Sequence, residues 1–169
     1  MTIPNAITLI RIAAIPLFAA FLLLPGYQNK IIAAAIYSVL VLSDAVDGYL
    51  ARRLNKVSDF GKYLDPLADK ILVITALLGL IELKAVSSIP VMIIVAREFA
   101  VTAFRLEAGR KGLVIPADIL GKWKTAFQML AVFFLILSWP YGELVLWFSV
   151  ILTVVSGIDY IYKSWAKVF

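Results

Sequence analysis

The sequence predicts an all-α polytopic membrane protein, a bundle of six transmembrane helices with both termini cytoplasmic. Three observations predict it. The 169-residue chain is 63% hydrophobic, with a mean hydropathy of +0.96, where an ordinary soluble domain is roughly 45–50% apolar. Six apolar stretches each approach the ~20 residues that a helix needs to cross the hydrocarbon. Lys and Arg gather on alternate connections, which fixes the sidedness.

In chain order the expected spans are Thr8–Leu24, Ile31–Leu50, Leu67–Leu83, Ser87–Phe104, Ile119–Trp139 and Leu144–Tyr162. Turn-forming stretches separate them: PGYQNK, the SDFGKY region, ELKAVSS, EAGRKG and PYGE. The run Ile12–Leu24 is read as a retained helix, not a signal peptide. Arg11 is the only charged side chain before it, and no convincing small-residue cleavage site follows. The connections after spans one, three and five carry only Lys30 and Lys84. The opposite side carries Arg11, Arg52, Arg53, Lys56, Lys62, Arg105, Arg110, Lys111, Lys122, Lys124, Lys163 and Lys167, and is expected to face the cytoplasm. The net charge of +5 then meets anionic lipid, not nucleic acid. No tail, repeat or linker suggests a second domain, so residues 1–169 are expected to form a single integral-membrane domain.

The chain has no cysteine and no histidine. Disulfides, thiolate nucleophiles, zinc sites of the Cys/His type and imidazole acid–base chemistry are excluded. Catalysis must use carboxylates, Lys, Tyr, Ser or Thr, and any metal must accept oxygen ligands.

The segment DAVDGYLARRLNKVSDFGKYLDPLADK places five aspartates between two apolar spans. Asp44, Asp47 and Ala51 are spaced i, i+3, i+7 and share one helix face, with Gly48 adjoining it. Gly61, Asp65 and Asp69, at i, i+4, i+8, share a face of the next helix. LNKVSDF between them turns the chain back, and Ser58 or Asp59 is placed to cap the second helix. Pro66 suits an early turn of that helix, while Asp59 falls off the shared face. An ionised residue at a helix centre costs about 2.5–3.5 kcal/mol, less near the interface. Four crowded carboxylates need compensation. Arg52 or Lys70 can pair with one or two. Four converging oxygen-donor groups make a better site for Mg²⁺ or Mn²⁺, and a pair of ions uses all of them. Gly48, Ala51 and Gly61 leave bare helix surface beside the aspartates, which serves close helix packing or leaves room for a ligand.

The full pattern, Asp44-x2-Asp47-Gly48-x2-Ala51-Arg52-x8-Gly61-x3-Asp65-x3-Asp69, resembles the signature of the CDP-alcohol phosphatidyltransferase family at every position. The resemblance implies an enzyme that transfers the phosphatidyl group of CDP-diacylglycerol to a small alcohol and releases CMP. It implies Mg²⁺ or Mn²⁺ held by Asp44, Asp47, Asp65 and Asp69, with Asp69 also the general base. Gly48, Ala51, Arg52 and Gly61 would line the CDP site, and a homodimer in the plasma membrane is expected, with its active site facing the cytoplasm. PNAITLIR, REFAVTAFR and GKWKT are similar to stretches of the phosphatidylglycerophosphate-forming members. That implies glycerol 3-phosphate as acceptor.

The cations agree with a phosphorylated acceptor, because Arg forks onto phosphate oxygens and Lys adds a point charge. Arg97, Arg105 and Lys122 are assigned to the acceptor phosphate, and Arg110, Lys111 and Lys124 to surface anchoring. Arg97 can alternatively pair with Glu98. Asn5, Thr8 and Arg11 lie on roughly one side of the first helix, as a capped interfacial start or as a polar lid over the nucleotide. Asn5 and Thr8 are assigned to CDP. Inositol phosphate is the nearest rival acceptor, while free inositol or serine needs less positive charge. An intramembrane prenyltransferase would carry two separated aspartate motifs where one is present. A divalent-cation transporter would need polar or broken helices along a whole pathway, yet spans five and six read as almost wholly apolar.

Overall fold

The computed structural model describes the backbone at residues 3–54, 59–113 and 119–168, and the side chains at 8–43, 67–113 and 119–165. All six expected helices are present among the described residues: α1 (Ile3–Leu23), α2 (Tyr27–Leu54), α3 (Asp59–Glu82), α4 (Ser88–Arg110), α5 (Ile119–Ile136) and α6 (Gly142–Val168). Most are longer than the hydropathic spans, because helical backbone continues beyond the apolar stretch. The 28 residues of α2 extend about 42 Å at 1.5 Å per residue, beyond a hydrocarbon core of about 30 Å. Asp44 and Asp47 therefore stand on the same unbroken helix as the apolar span. α3 begins at Asp59, about two turns before Pro66, so the early-turn placement expected for that proline is not what the helix adopts.

Among the described residues, two helices, Ile119–Ile136 and Gly142–Trp165, are long and apolar enough to cross a membrane, and Thr8–Leu23 is a shorter apolar helix. Three helices end alike. Lys84 and Ser138 take φ 56° and Gly112 takes φ 72°. In each case the next residue's N–H reaches back five positions: Ala85 to Leu80, Leu113 to Ala108, and Trp139 to Phe134. This is the left-handed closure that satisfies the last carbonyls of a helix.

The chain forms two compact units. The first comprises Met1–Val86 with Phe133–Trp139. Here α1 packs on both α2 and α3. One stripe of α1 is buried throughout: Thr8, Arg11, Ile15, Phe18 and Leu22, alternating three and four residues apart as a helix seam requires. Phe18 meets Tyr37 of α2 with ring centroids 5.7 Å apart. Ala68, Leu72, Ala76, Leu77 and Leu80 of α3 complete this core. Gly79 permits the approach of α3 to α1, since a Cβ there would lie 2.6 Å from Leu22 Cδ2. Leu22 is itself buried and cannot swing clear. Gly79→Val is expected to cost about 1–3 kcal/mol by overpacking, read as a lower unfolding midpoint in detergent; an unchanged midpoint would contradict this packing.

The second unit comprises Ser87–Val132 and Pro140–Phe169. Its α4 packs on α6. Val101, Phe104 and Ala108 enclose Tyr160, and Phe104 meets that ring edge-on at 6.1 Å. α6, almost wholly apolar as expected, also carries buried hydroxyl residues. Ser149, Thr153, Ser156 and Ser164 are all buried on it. The first three donate to their own helix, to the carbonyls of Leu146, Ser149 and Thr153, which satisfies each hydroxyl locally.

Candidate active site

The aspartate motif divides between two helices of the first unit. Asp44, Asp47, Gly48, Ala51 and Arg52 belong to the end of α2, and Gly61 and Asp65 to the start of α3. The side chains of these seven, and of Asn5 on α1, lie outside the described residues. Among the described residues no cluster of three acidic groups occurs.

Asp69 is described, and its setting is specific. Its Oδ1 accepts a hydrogen bond from Arg11 Nη1 at 3.0 Å. The Arg11 side chain is 1% exposed and that of Asp69 31%. The cation thus lies within the helix packing, while the carboxylate remains reachable from outside. Arg11 Nε also donates to Ser43 Oγ at 3.3 Å. Arg11 is thus a compensating cation that the spacing had not suggested; the side chain of Arg52 lies outside the described residues. Thr8, one turn earlier, is fully buried.

The second unit holds a buried group of charges. Arg97 donates through Nε to the Thr153 carbonyl at 3.2 Å, through Nη1 to Glu98 Oε1 at 3.2 Å, and through Nη2 to Ser156 Oγ at 3.1 Å. Gly157 makes room for it: a Cβ there would lie 3.0 Å from Arg97 Cγ and 3.1 Å from Nε. Glu98 also pairs with Lys124 of α5. The side chains of Arg97, Glu98 and Lys124 are 15%, 14% and 6% exposed. Lys124, expected at the surface, is therefore buried, and Lys122, assigned to the acceptor phosphate, is exposed. Two positions apart on a helix means about 200° of rotation, so only one of the two can face inward. Arg105 sits over the Tyr160 ring, its Cζ 5.0 Å from the centroid, and its Nε donates to the Tyr160 hydroxyl at 3.2 Å. Arg110 and Lys111 are exposed, as an anchoring role requires.

Sequence reasoning missed the Arg11–Asp69 pair, Ser43, the Glu98–Lys124 pair and the hydroxyl face of α6. The signal for the first was periodicity, since Arg11 falls in register with Ile15, Phe18 and Leu22. For the last it was the recurrence of small hydroxyl residues at three- and four-residue intervals.

An oxygen-only donor set on α2 and α3, with Asp69 accessible, fits hard divalent cations. Together with apolar helices, these features define a membrane-associated, all-helical protein. The chain belongs to the CDP-alcohol phosphatidyltransferase family, whose model matches residues 1–155. It is 43% identical to the CDP-diacylglycerol–glycerol-3-phosphate 3-phosphatidyltransferase of Bacillus subtilis (strain 168), over 96% of this chain and 95% of that protein. Proteins of the same name from Rickettsia bellii (strain RML369-C) and Wigglesworthia glossinidia brevipalpis are each 35% identical. They cover 99% and 100% of this chain, and 97% and 98% of their own lengths.

Proposed function

We propose that this protein transfers the phosphatidyl group of CDP-diacylglycerol to glycerol 3-phosphate, giving phosphatidylglycerol phosphate and CMP. The observation that carries this reading is the 43% identity, over 96% of the chain, to a relative named for that reaction. An acceptor hydroxyl oxygen attacks the phosphorus bearing diacylglycerol. A P–O bond forms there, the bond to the CMP oxygen breaks, and CMP leaves with the electron pair. The hydroxyl proton passes to Asp69, the general base in a chain without histidine. Asp44, Asp47, Asp65 and Asp69 would hold two Mg²⁺ or Mn²⁺ ions, which neutralise the diphosphate and the leaving oxygen when bound.

Asn5, Thr8, Gly48, Ala51, Arg52 and Gly61 are proposed to contact CDP, and Arg97, Arg105 and Lys122 the acceptor phosphate. Support for Arg97 is its fixed geometry. Three of its five N–H donors are engaged among the described residues, so the fork is preset and two donors remain. The reading includes a single domain over residues 1–169, six spans, both termini and the active site at the cytoplasmic face of the plasma membrane, and a homodimer.

The test is CMP release by purified protein in detergent with CDP-diacylglycerol, Mg²⁺ and one acceptor at a time. The panel is glycerol 3-phosphate, inositol 1-phosphate, inositol, serine and phosphatidylglycerol. Release confined to glycerol 3-phosphate is the expected result. Release with a different acceptor would overturn the acceptor assignment, and no release with any of them, in folded protein, would overturn the donor.

A further inference from the structure

The aspartate motif is split between α2 and α3, yet these helices pack chiefly on α1 and little on each other among the described residues. A link between α2 and α3 through α1 would bear on the register of one half of the motif against the other. Arg11 is a side chain of α1 that hydrogen-bonds to both helices. It donates to Asp69 on α3 at 3.0 Å and to Ser43 on α2 at 3.3 Å. Ser43 directly precedes Asp44. The Ser43 hydroxyl proton is committed to the Leu40 carbonyl at 2.7 Å, which leaves its oxygen to accept from the guanidinium. The fork is planar and rigid, and burial within the α1 stripe fixes its depth.

We propose that Arg11 is a positioning residue that sets the register of α2 against α3, and through it the placement of Asp69 relative to Asp44 and Asp47. This rests on the reading of Asp69 given above. The charge of Arg11 offsets a carboxylate, but its distinctive contribution is the fork: two bonds in different directions from one rigid plane. An ammonium at this position keeps the charge and cannot span both partners.

The experiment uses the full chain in detergent and two variants, Arg11→Lys and Ser43→Ala. Three quantities are read: kcat with KM for each substrate, Mn²⁺ affinity by electron paramagnetic resonance without lipid substrate, and the unfolding midpoint. Arg11→Lys is expected to lower Mn²⁺ affinity and kcat by about 10- to 100-fold, as loss of a group that orients a ligand does, with much smaller changes in KM. Ser43→Ala is expected to lower both in the same direction with its unfolding midpoint unchanged. A merely structural arginine would move the midpoint without a selective loss of kcat and Mn²⁺ affinity. Wild-type kcat and Mn²⁺ affinity in Ser43→Ala would overturn the proposal, whether or not Arg11→Lys folds. If the wild type releases no CMP with any acceptor, the proposed reaction fails, and the Mn²⁺ measurement still decides the role of Arg11.

Discussion

Asn in place of any one of Asp44, Asp47, Asp65 or Asp69 is expected to lower CMP release by at least about 100-fold, the scale set by removing a general base or one charge-stabilising group. Asn keeps the size of Asp and an oxygen acceptor but lacks the charge that a divalent ion requires. At Asp69 the amide oxygen can still accept from Arg11, so folding survives while the base is lost. At the other three positions, loss of a repelling carboxylate leaves the metal-free protein at least as stable as the wild type, the usual trade between stability and function at such sites. The check is CMP release beside an unfolding curve for each variant. Near-normal activity in any two of the four would sink the shared metal site, and activity that persists in excess chelator would do the same.

The second large effect is on stability, at Glu98. This carboxylate faces both Arg97 and Lys124, and the three side chains are mostly buried. Glu98→Leu leaves two buried cations together without their counter-charge. Breaking a buried pair from one side costs about 3–5 kcal/mol, and a fall of that size in unfolding free energy is expected. Adding Lys124→Met should recover much of the loss, because Arg97 keeps the Thr153 carbonyl and Ser156. Lys124→Met alone should cost less than Glu98→Leu, since Glu98 retains Arg97. If the double variant is no more stable than Glu98→Leu, the buried lysine does not depend on that carboxylate.

The six helices were legible because each apolar run is long and each turn stretch is marked by Gly, Pro or charge. For the aspartates, sequence spacing on helical backbone puts Asp44 with Asp47 and Asp65 with Asp69; of these side chains only that of Asp69 is among the described residues. What hydropathy could not supply was rotation about each helix axis. GKWKT contains two lysines on opposite sides of one helix, and Lys124, read as a surface anchor, is the buried one. Arg11 was counted as an interfacial charge, although its register with Ile15 and Phe18 puts it in the packed stripe. The serines and threonine of α6 were lost in an average. Their hydroxyls bond their own backbone, and such residues barely dent the apolarity of a helix that buries them.

The Arg97–Glu98–Lys124 group also bears on biogenesis. A lone charge entering the bilayer centre costs about 2.5–3.5 kcal/mol on insertion scales. α4 carries Arg97 and Glu98 as chain neighbours of opposite sign, so that pair is neutralised within the helix as it leaves the ribosome. α5 contains Lys122 and Lys124 and no acid of its own, and its buried lysine pairs with a carboxylate on α4. Synthesis from the N-terminus delivers the helix with the counter-charge first. The order of these two segments in the gene therefore delivers the carboxylate before the lysine that pairs with it, and a circular permutant that emits α5 before α4 would reverse that order.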